Sequence, residues 1–174
     1  MIANLWHILG FSGVRYLCPI KPRPGETPRF WRGSPAHVGV FKHARDIITP
    51  DPRVNSLPVY APADGTLIEL IQHNTLWGGA GYFVPYLNLV TVRTVVEGEF
   101  YQLCHIAARS CPLPLGSRVR MGQKIAMTGL NGWVTVIDGM PCSHLHIMVA
   151  KKTLRRKEGF VSTRIRWEQT PVYL

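Results

Sequence analysis

The stretch Ser143-His144-Leu145-His146-Ile147-Met148-Val149 decides the fold class and the chemistry that this sequence predicts. Its apolar and β-branched residues favour a strand. Because successive side chains of a strand point to opposite faces, His144 and His146 leave the same face of a sheet. Two imidazoles on one face suit a metal ligand beside a proton-transfer group. The alternative is a pair of half-exposed strand histidines without a function.

The rest of the chain predicts short strands joined by turns. Gly and Pro are frequent, with 16 and 14 among 174 residues, and they are scattered along the sequence. We predict an all-β domain with an antiparallel sheet and no long amphipathic helix. Glu97-Gly98-Glu99 is expected to form a hairpin turn with both carboxylates in solvent. The predicted strands and short apolar runs lie at 38–41, 44–48, 66–72, 87–96, 100–106, 124–128 and 144–149.

Two regions are predicted to lack regular strands. Residues 1–36 contain five prolines, all after position 18, and are expected to form an irregular N-terminal arm that wraps on the domain of residues 37–174. Residues 129–142 are expected to form a loop. The first 17 residues lack a basic start and a small-residue cleavage site, so no signal peptide is predicted.

The charge of the chain indicates the class of its partners. The formal net charge is +10, and basic residues concentrate between Lys151 and Arg166. Such a charge attracts a polyanion: nucleic acid, anionic lipid and an anionic cell-wall polymer all fit. No nucleic-acid-binding module is recognisable, and no stretch approaches the ~20 apolar residues of a membrane helix. A solvated basic loop is the alternative interpretation.

The cysteines do not predict a metal site of their own. Cys18, Cys104, Cys111 and Cys142 form no C-x-x-C pair. Cys104 and Cys111 are close enough in sequence to pair across a short loop, and the other interpretation is free buried thiols.

Histidines and one aspartate supply enough groups for a catalytic metal site. The candidate places are His43-Ala44-Arg45-Asp46, His105 at the end of a strand, and the pair His144 and His146. A catalytic zinc takes three protein ligands and keeps a fourth position open for water, whose pKa it lowers. Trp77, Tyr82 and Trp133 lie in or near loops and are candidates for a substrate-binding wall, and Arg45 is a candidate partner for a substrate carboxylate.

The order of these motifs resembles the lysostaphin/LytM-type zinc metallo-endopeptidases of peptidoglycan. The resemblance extends from about His37 to the C-terminus. It is carried by His43 with Asp46-Ile47-Ile48-Thr49-Pro50, by Pro58-Val59-Tyr60-Ala61 with Gly65, by Tyr101-Gln102-Leu103-Cys104-His105, by Gly116, Val119, Gly122-Gln123, Ile125-Ala126 and Gly129, by His144-Leu145-His146-Ile147, and by Thr170-Pro171-Val172-Tyr173-Leu174.

The resemblance implies a fold, a metal and a role for each residue. The fold would be a folded antiparallel sheet that forms a groove, with Zn²⁺ on its floor. His43, Asp46 and His146 would be the zinc ligands, and His105 and His144 would be the catalytic pair. The reaction would be hydrolysis of an amide bond in peptidoglycan, at the cell envelope, outside the cell, or in a phage particle.

One departure from the family pattern concerns the first ligand. The family places its first His and Asp four residues apart, whereas His43 and Asp46 are three apart and would face opposite sides of a regular strand. A β-bulge would restore the geometry. Alternatively, His37 replaces His43, with Phe41 at the position where the family has Asp. We favour His43, because the Ile-x-x-Pro pattern after Asp46 sets the register.

Other functions remain open from the sequence. A metal-free relative would act as a cell-wall binding or activator module. The segment 119–129 also resembles the turn of biotinyl- or lipoyl-carrier barrels, although no Met-Lys-Met type attachment site accompanies it. Metal content distinguishes the first alternative from the enzyme.

Overall fold

The computed structural model describes residues 11–21, 29–31, 34–49, 56–152, 160–168 and 172–173. Two short 3₁₀ helices, η1 (Gly39–Phe41) and η2 (Gly81–Tyr86), interrupt the strands. Among the described residues, neither helix has the length or apolar composition that crossing a bilayer requires. The strands are β1 Phe11–Tyr16, β2 Arg29–Trp31, β3 Arg45–Ile48, β4 Pro58–Tyr60, β5 Gly65–Ile71, β6 Trp77–Gly78, β7 Leu89–Thr94, β8 Glu99–Cys104, β9 Arg118–Val119, β10 Lys124–Met127, β11 Gly132–Trp133, β12 Val136–Ile137, β13 Met140–Pro141, β14 His144–Lys152, β15 Phe160–Ser162, β16 Arg164–Trp167 and β17 Val172–Tyr173.

One large sheet organises the domain and confirms the all-β prediction. Its strand order is β17-β2-β3-β14-β8-β7-β5-β9, with β15 paired to β14. From β2 to β9 every neighbouring pair is antiparallel, and β17 pairs with β2 in parallel. Because hairpin neighbours such as β7 and β8 are close in sequence, the antiparallel arrangement needs no long crossover between them.

One face of this sheet forms the hydrophobic core. The register places Leu145 opposite Ile47, and Ile147 opposite Leu103, which in turn lies opposite Val90. All five side chains are buried. Burying such side chains typically stabilises a fold by about 1.5–3 kcal/mol each. The period of two therefore sends the intervening residues, including His144 and His146, to the other face.

The described part of the N-terminal region is more regular than we expected. The expectation for residues 1–36 was an irregular arm, but the structure contains β1 and β2 there. β2 lies within the large sheet beside β3, and Phe30 and Tyr16 belong to the core. The prolines at 22, 24 and 28, on which the expectation rested, lie outside the described residues.

Three other local predictions differ from the structure. Residues 38–41 were expected to be extended but fold into η1, whose first residue Gly39 has a φ of +56°. Residues 129–142 were expected to be a loop but contain the short strands β11, β12 and β13. Glu99 was expected to be solvated but is fully buried. All four cysteines are free thiols, so Cys104 and Cys111 do not pair.

The burial of Glu99 fixes β1 against the hairpin of β7 and β8. Its carboxylate accepts hydrogen bonds from the Tyr16 hydroxyl at 2.8 Å and from the backbone N–H groups of Gly13 and Val14 at 2.7 and 3.3 Å. Burial and the adjacent Glu99 carboxylate raise the pKa of Tyr16 well above its usual range. Three donors from one strand therefore compensate the loss of water around this carboxylate.

Candidate metal centre

Three potential ligand atoms converge on the face of the sheet opposite the core. His37 Nε2 lies 3.2 Å from His146 Nδ1 and 3.2 Å from Asp46 Oδ1, and His146 Nδ1 lies 2.9 Å from Asp46 Oδ1. Within the described part of the chain, this group is the only set of three or more His, Cys, Asp or Glu side chains with metal-binding spacing. The side chains of His37 and Asp46 are almost completely buried, and that of His146 is 16% exposed.

Two of the three residues are placed by strand register. Asp46 of β3 is the direct cross-strand partner of His146 of β14, so both side chains leave the same face side by side. His37 comes from outside the sheet. The turn of η1, closed by hydrogen bonds from Phe41 N–H to Val38 O and from Ala44 N–H to Phe41 O, brings it back over β3.

The spacing of the three atoms fits a tetrahedral metal. Zinc bonds of about 2.0–2.1 Å in tetrahedral geometry place neighbouring ligand atoms about 3.3 Å apart. The observed separations of 2.9–3.2 Å are close to this value. If both imidazoles donated to Asp46, their N–H groups would crowd each other without an acceptor between them. A cation bound by two nitrogen lone pairs and a carboxylate removes this conflict, so the donor set fits Zn²⁺.

Asp46 carries the charge that such a site requires. Burial alone raises the pKa of the Asp46 carboxyl, but hydrogen bonds with His146 and His37 and attraction to His144 outweigh burial and hold the pKa well below its usual range. The group is therefore a carboxylate at neutral pH, which is its metal-binding form.

His105 and His144 form a second pair beside the three ligand atoms. Their ring centroids are 4.5 Å apart with an interplanar angle of 60°, and both side chains are buried. His144 Nε2 lies 3.8 Å from Asp46 Oδ1, which places this ring at the edge of the metal centre. The structure thus brings together four of the five predicted site residues, namely Asp46, His105, His144 and His146.

Backbone carbonyls determine which nitrogen of each ring in this pair carries the proton. His105 Nδ1 donates to Asn131 O at 2.8 Å, and His144 Nδ1 donates to Cys142 O at 3.0 Å. Burial and the charge of His144 lower the pKa of His105 to about 3, although the hydrogen bond with Asn131 opposes this shift. His105 is therefore neutral at pH 7, with a proton on Nδ1 and a lone pair on Nε2.

The structure corrects the expectation for His43. His43 lies outside the cluster, and its backbone N–H donates to Ser162 Oγ. Burial lowers the pKa of His43, as do the charges of Lys42, Arg164 and Arg45. Three cationic neighbours make this position unfavourable for a metal ion. The bulge that we considered for residues 43–46 is absent, and the nine-residue separation between His37 and Asp46 is bridged by η1 instead.

Arg45 is also placed away from the site. On β3 it precedes Asp46 and pairs with the core residue Ile147, so its side chain starts on the opposite face of the strand. Arg45 Nη1 donates to Ala44 O. The expectation that Arg45 meets a substrate carboxylate therefore finds no support in this arrangement.

The aromatic candidates lie on the short paired strands β6 and β11 and on the helix η2 that follows β6. Trp77 of β6 pairs with Gly132 of β11, next to Trp133. Tyr82 in η2 is 74% exposed, Trp77 is 37% exposed, and Trp133 is half-buried. Asn131, whose carbonyl orients His105, directly precedes β11. These segments therefore border the metal centre through Asn131.

Asn131 and Asn88 position the site, and sequence reasoning missed them. Asn131 Oδ1 accepts from Asn88 N–H at 2.7 Å, and both side-chain amides donate to Ile106 O. His105 has a φ of +64°, a conformation that costs energy for a residue with a side chain. The two asparagines therefore hold the carbonyl of Ile106, the residue that follows this strained position. The only sequence signal for this role was the Asn within Gly129-Leu130-Asn131-Gly132, and that pattern predicts an ordinary turn.

Comparisons with known proteins identify the fold. No family model and no curated protein matches the sequence. A solved structure of a LytM protein from Ruminococcus gnavus is similar with a TM-score of 0.51 and 18% identity, over 82% of this chain and 51% of that chain. The structure of LytU is similar with a TM-score of 0.50 and 18% identity, over 79% of this chain and 78% of that chain.

A zinc-containing peptidase from Vibrio cholerae is also among the similar structures, with a TM-score of 0.46 and 22% identity. The similarity covers 75% of this chain but only 35% of that one, so the chain spans about a third of the Vibrio protein. The LytM and LytU structures carry the conclusion that this chain has the LytM-type peptidase fold, as the resemblance in the sequence implied.

Proposed function

We propose that this protein is a zinc-dependent endopeptidase that hydrolyses amide bonds in the stem peptides or cross-bridges of peptidoglycan. The observation that carries the proposal is the set of His37 Nε2, Asp46 Oδ1 and His146 Nδ1, with mutual distances of 2.9–3.2 Å, beside the pair His105 and His144. The LytM-type fold supports the assignment.

His37, Asp46 and His146 would hold the metal. Two neutral imidazoles and one carboxylate leave one net positive charge on a bound Zn²⁺, which suits the activation of water. When bound, Zn²⁺ supplies Lewis acidity that makes water a nucleophile near neutral pH and polarises the substrate carbonyl.

His144 and His105 would handle the protons. Because Nδ1 of each ring donates to a backbone carbonyl, the lone pair of each neutral ring is on Nε2. His144 Nε2, the nitrogen near Asp46, takes a proton from the attacking water and later gives it to the departing amine nitrogen. His105 stays neutral because of its low pKa, so its Nε2 accepts a hydrogen bond and orients the water. The products are a carboxylate and an amine.

The rest of the molecule supports binding of a large anionic polymer. The net charge of +10 favours association with an anionic wall, with a marked salt dependence. Trp77, Tyr82 and Trp133 would contact the peptide or the sugar from the segments that border the site. The proposed substrate locates the activity at the cell envelope, outside the cell, or on a phage particle.

Zinc content and digestion of purified peptidoglycan test the proposal together. We expect about one zinc per chain by elemental analysis, and new amino and carboxyl groups released from the wall. Both results should be lost in His146→Ala and kept in His73→Ala, a matched change of an exposed histidine. Wild-type protein that takes up no zinc and binds peptidoglycan without cutting it would instead support the metal-free binding or activator module.

A further inference from the structure

A ladder of polar side chains crosses the sheet next to the metal centre. Cys104 of β8 is the cross-strand partner of His146, and its Sγ donates to Gln102 Oε1 at 3.6 Å. Gln102 Nε2 donates to Thr91 Oγ1 of β7 at 3.0 Å, and Thr91 Oγ1 donates to Glu69 Oε2 of β5 at 2.6 Å. Four side chains on three strands thus connect the buried site to an exposed carboxylate.

A β-bulge turns Glu69 toward this face. Leu67 pairs with Val92, and Glu69 pairs with Thr91, so Ile68 is an extra residue in β5. Leu67 and Val92 are buried in the core, and without the bulge Glu69 would point the same way as Leu67. Bulges often re-aim a side chain next to an active site. The local backbone therefore places a carboxylate on the same face as Asp46 and His146.

One carboxylate oxygen of Glu69 is fixed by hydrogen bonds, and the other can still accept one. Its Oε2 accepts from Thr91 and, at 3.5 Å, from Gln102. Within the described part of the chain, no hydrogen bond reaches its Oε1, and no basic side chain forms an ion pair with it. The side chain is exposed. Glu69 is thus a carboxylate that is fixed by hydrogen bonds and has no basic partner among the described residues, although the chain has a net charge of +10. Such a carboxylate can accept a charge-assisted hydrogen bond from a cationic group outside the protein.

Apolar side chains lie between Glu69 and the metal centre. Leu89 is the cross-strand partner of both Cys104 and Ile71, and Leu89 and Ile71 are half-buried. At a strand spacing of about 4.8 Å, β5 lies about 14 Å across the sheet from β14, which is about four residues of an extended peptide. The row of Leu89 and Ile71, next to the polar ladder, therefore gives the floor between the two sites an apolar strip that is long enough for a short peptide segment.

We propose that Glu69 forms a subsite for an ammonium group of the peptide substrate, about four residues from the bond that is cut. The inference rests on the proposed function, because it assigns a substrate class to the same site. The ammonium group belongs either to an amine-bearing side chain or to an N-terminal amine. In both cases Glu69 Oε1 accepts its hydrogen bond, and the aliphatic part of the segment lies on Ile71 and Leu89.

Binding and cleavage of peptidoglycan with free or acetylated amines test the subsite. The protein variants are Glu69→Gln and Glu97→Gln, which remove the same charge, the second from an exposed hairpin turn. Binding is measured by cosedimentation with a metal chelator present, so that no turnover contributes. We expect Glu69→Gln to bind untreated peptidoglycan about tenfold more weakly than Glu97→Gln, and the two to bind acetylated peptidoglycan equally. In cleavage, the loss should appear in KM rather than in kcat.

The outcomes separate this inference from the proposed function. Equal binding of the two variants to untreated wall overturns the subsite, as does an equal deficit of Glu69→Gln on both walls, which indicates a structural role. Absence of cleavage by wild-type protein overturns the proposed function while the binding result still stands. A Glu69 effect that disappears between pH 7 and 9 identifies an N-terminal amine, and one that persists identifies a side-chain amine.

Discussion

His37 Nε2 and His146 Nδ1 lie 3.2 Å apart, although 109 residues separate them in the chain. His146 is fixed by its place in β14, whereas His37 reaches the same point from a turn outside the large sheet. The candidate metal centre therefore joins strand β14 to a turn, and the identity of the first ligand depends on how that turn folds.

Replacing each of the two candidate first ligands, His37 and His43, by alanine tests this conclusion. We expect His37→Ala to lower zinc affinity by more than about 100-fold, since loss of an outer-shell partner alone costs 10–100-fold. His43→Ala should keep wild-type affinity, because His43 lies among cationic groups outside the cluster. Competition with a chromogenic chelator measures both. A loss of zinc affinity in His43→Ala alone would show that His43, as the sequence predicted, is the first ligand.

Substitution of the proposed catalytic pair, His105 and His144, should lower turnover without loss of the metal. His144→Ala and His105→Ala remove proton-transfer groups that are not among the three ligands, so kcat on peptidoglycan should fall by about 10²–10⁴. Zinc content should remain near that of wild type. The contrary result, full zinc and full kcat in both variants, would exclude proton transfer by this pair.

The buried neutral His105 should make the metal-free protein sensitive to mild acid. Its pKa falls from 6.5 in the unfolded chain to about 3 in the fold, so the unfolded state binds more protons between these values. Stability is then lost as pH decreases below 6.5, by about 2 kcal/mol at pH 5. In His105→Gln the free energy of unfolding should fall less between pH 7 and 5.

Denaturant titrations of the chelator-treated protein at the two pH values measure this difference. His73→Gln is the matched control, because His73 is exposed and should leave the pH dependence unchanged. An identical slope in wild type and His105→Gln would show that His105 does not control the acid response.

Removal of the buried carboxylate of Glu99 should destabilise the fold. Glu99→Ala leaves the Tyr16 hydroxyl and two backbone N–H groups without their acceptor, at a cost of about 3–5 kcal/mol. Glu97→Ala, two residues earlier in the exposed turn, should change stability by less than about 0.5 kcal/mol. Urea unfolding of both variants gives the comparison, and similar values for the two would mean that β1 does not depend on this carboxylate.

Much of the fold was predictable from local pattern. Alternating or continuous apolar residues indicated β3, β5, β7, β8, β10 and β14, because a strand with one buried face must repeat every two residues. The short strands β11, β12 and β13 were not predictable. Two-residue strands carry no period, and they form only because a neighbouring segment supplies their hydrogen bonds.

The two glutamates of the hairpin show the same limit on a smaller scale. Glu97 and Glu99 have almost the same sequence surroundings, and both were expected in solvent. Only Glu99 lies where β1 passes, and donors from residues 13, 14 and 16 make its burial favourable. A contact across more than 80 positions leaves no trace in the local sequence.

The sequence by itself determined that this is an antiparallel all-β chain, because the strand period fixes which residues share a face, and its resemblance in motif order predicted that Asp46, His105, His144 and His146 come together. The tertiary structure alone decided that His37 and not His43 completes the cluster, that Asn131 orients His105, and that a bulge turns Glu69 toward the face of the sheet that carries Asp46 and His146. Each of these depends on a turn, a positive φ or a register shift, whose energy is set by distant contacts.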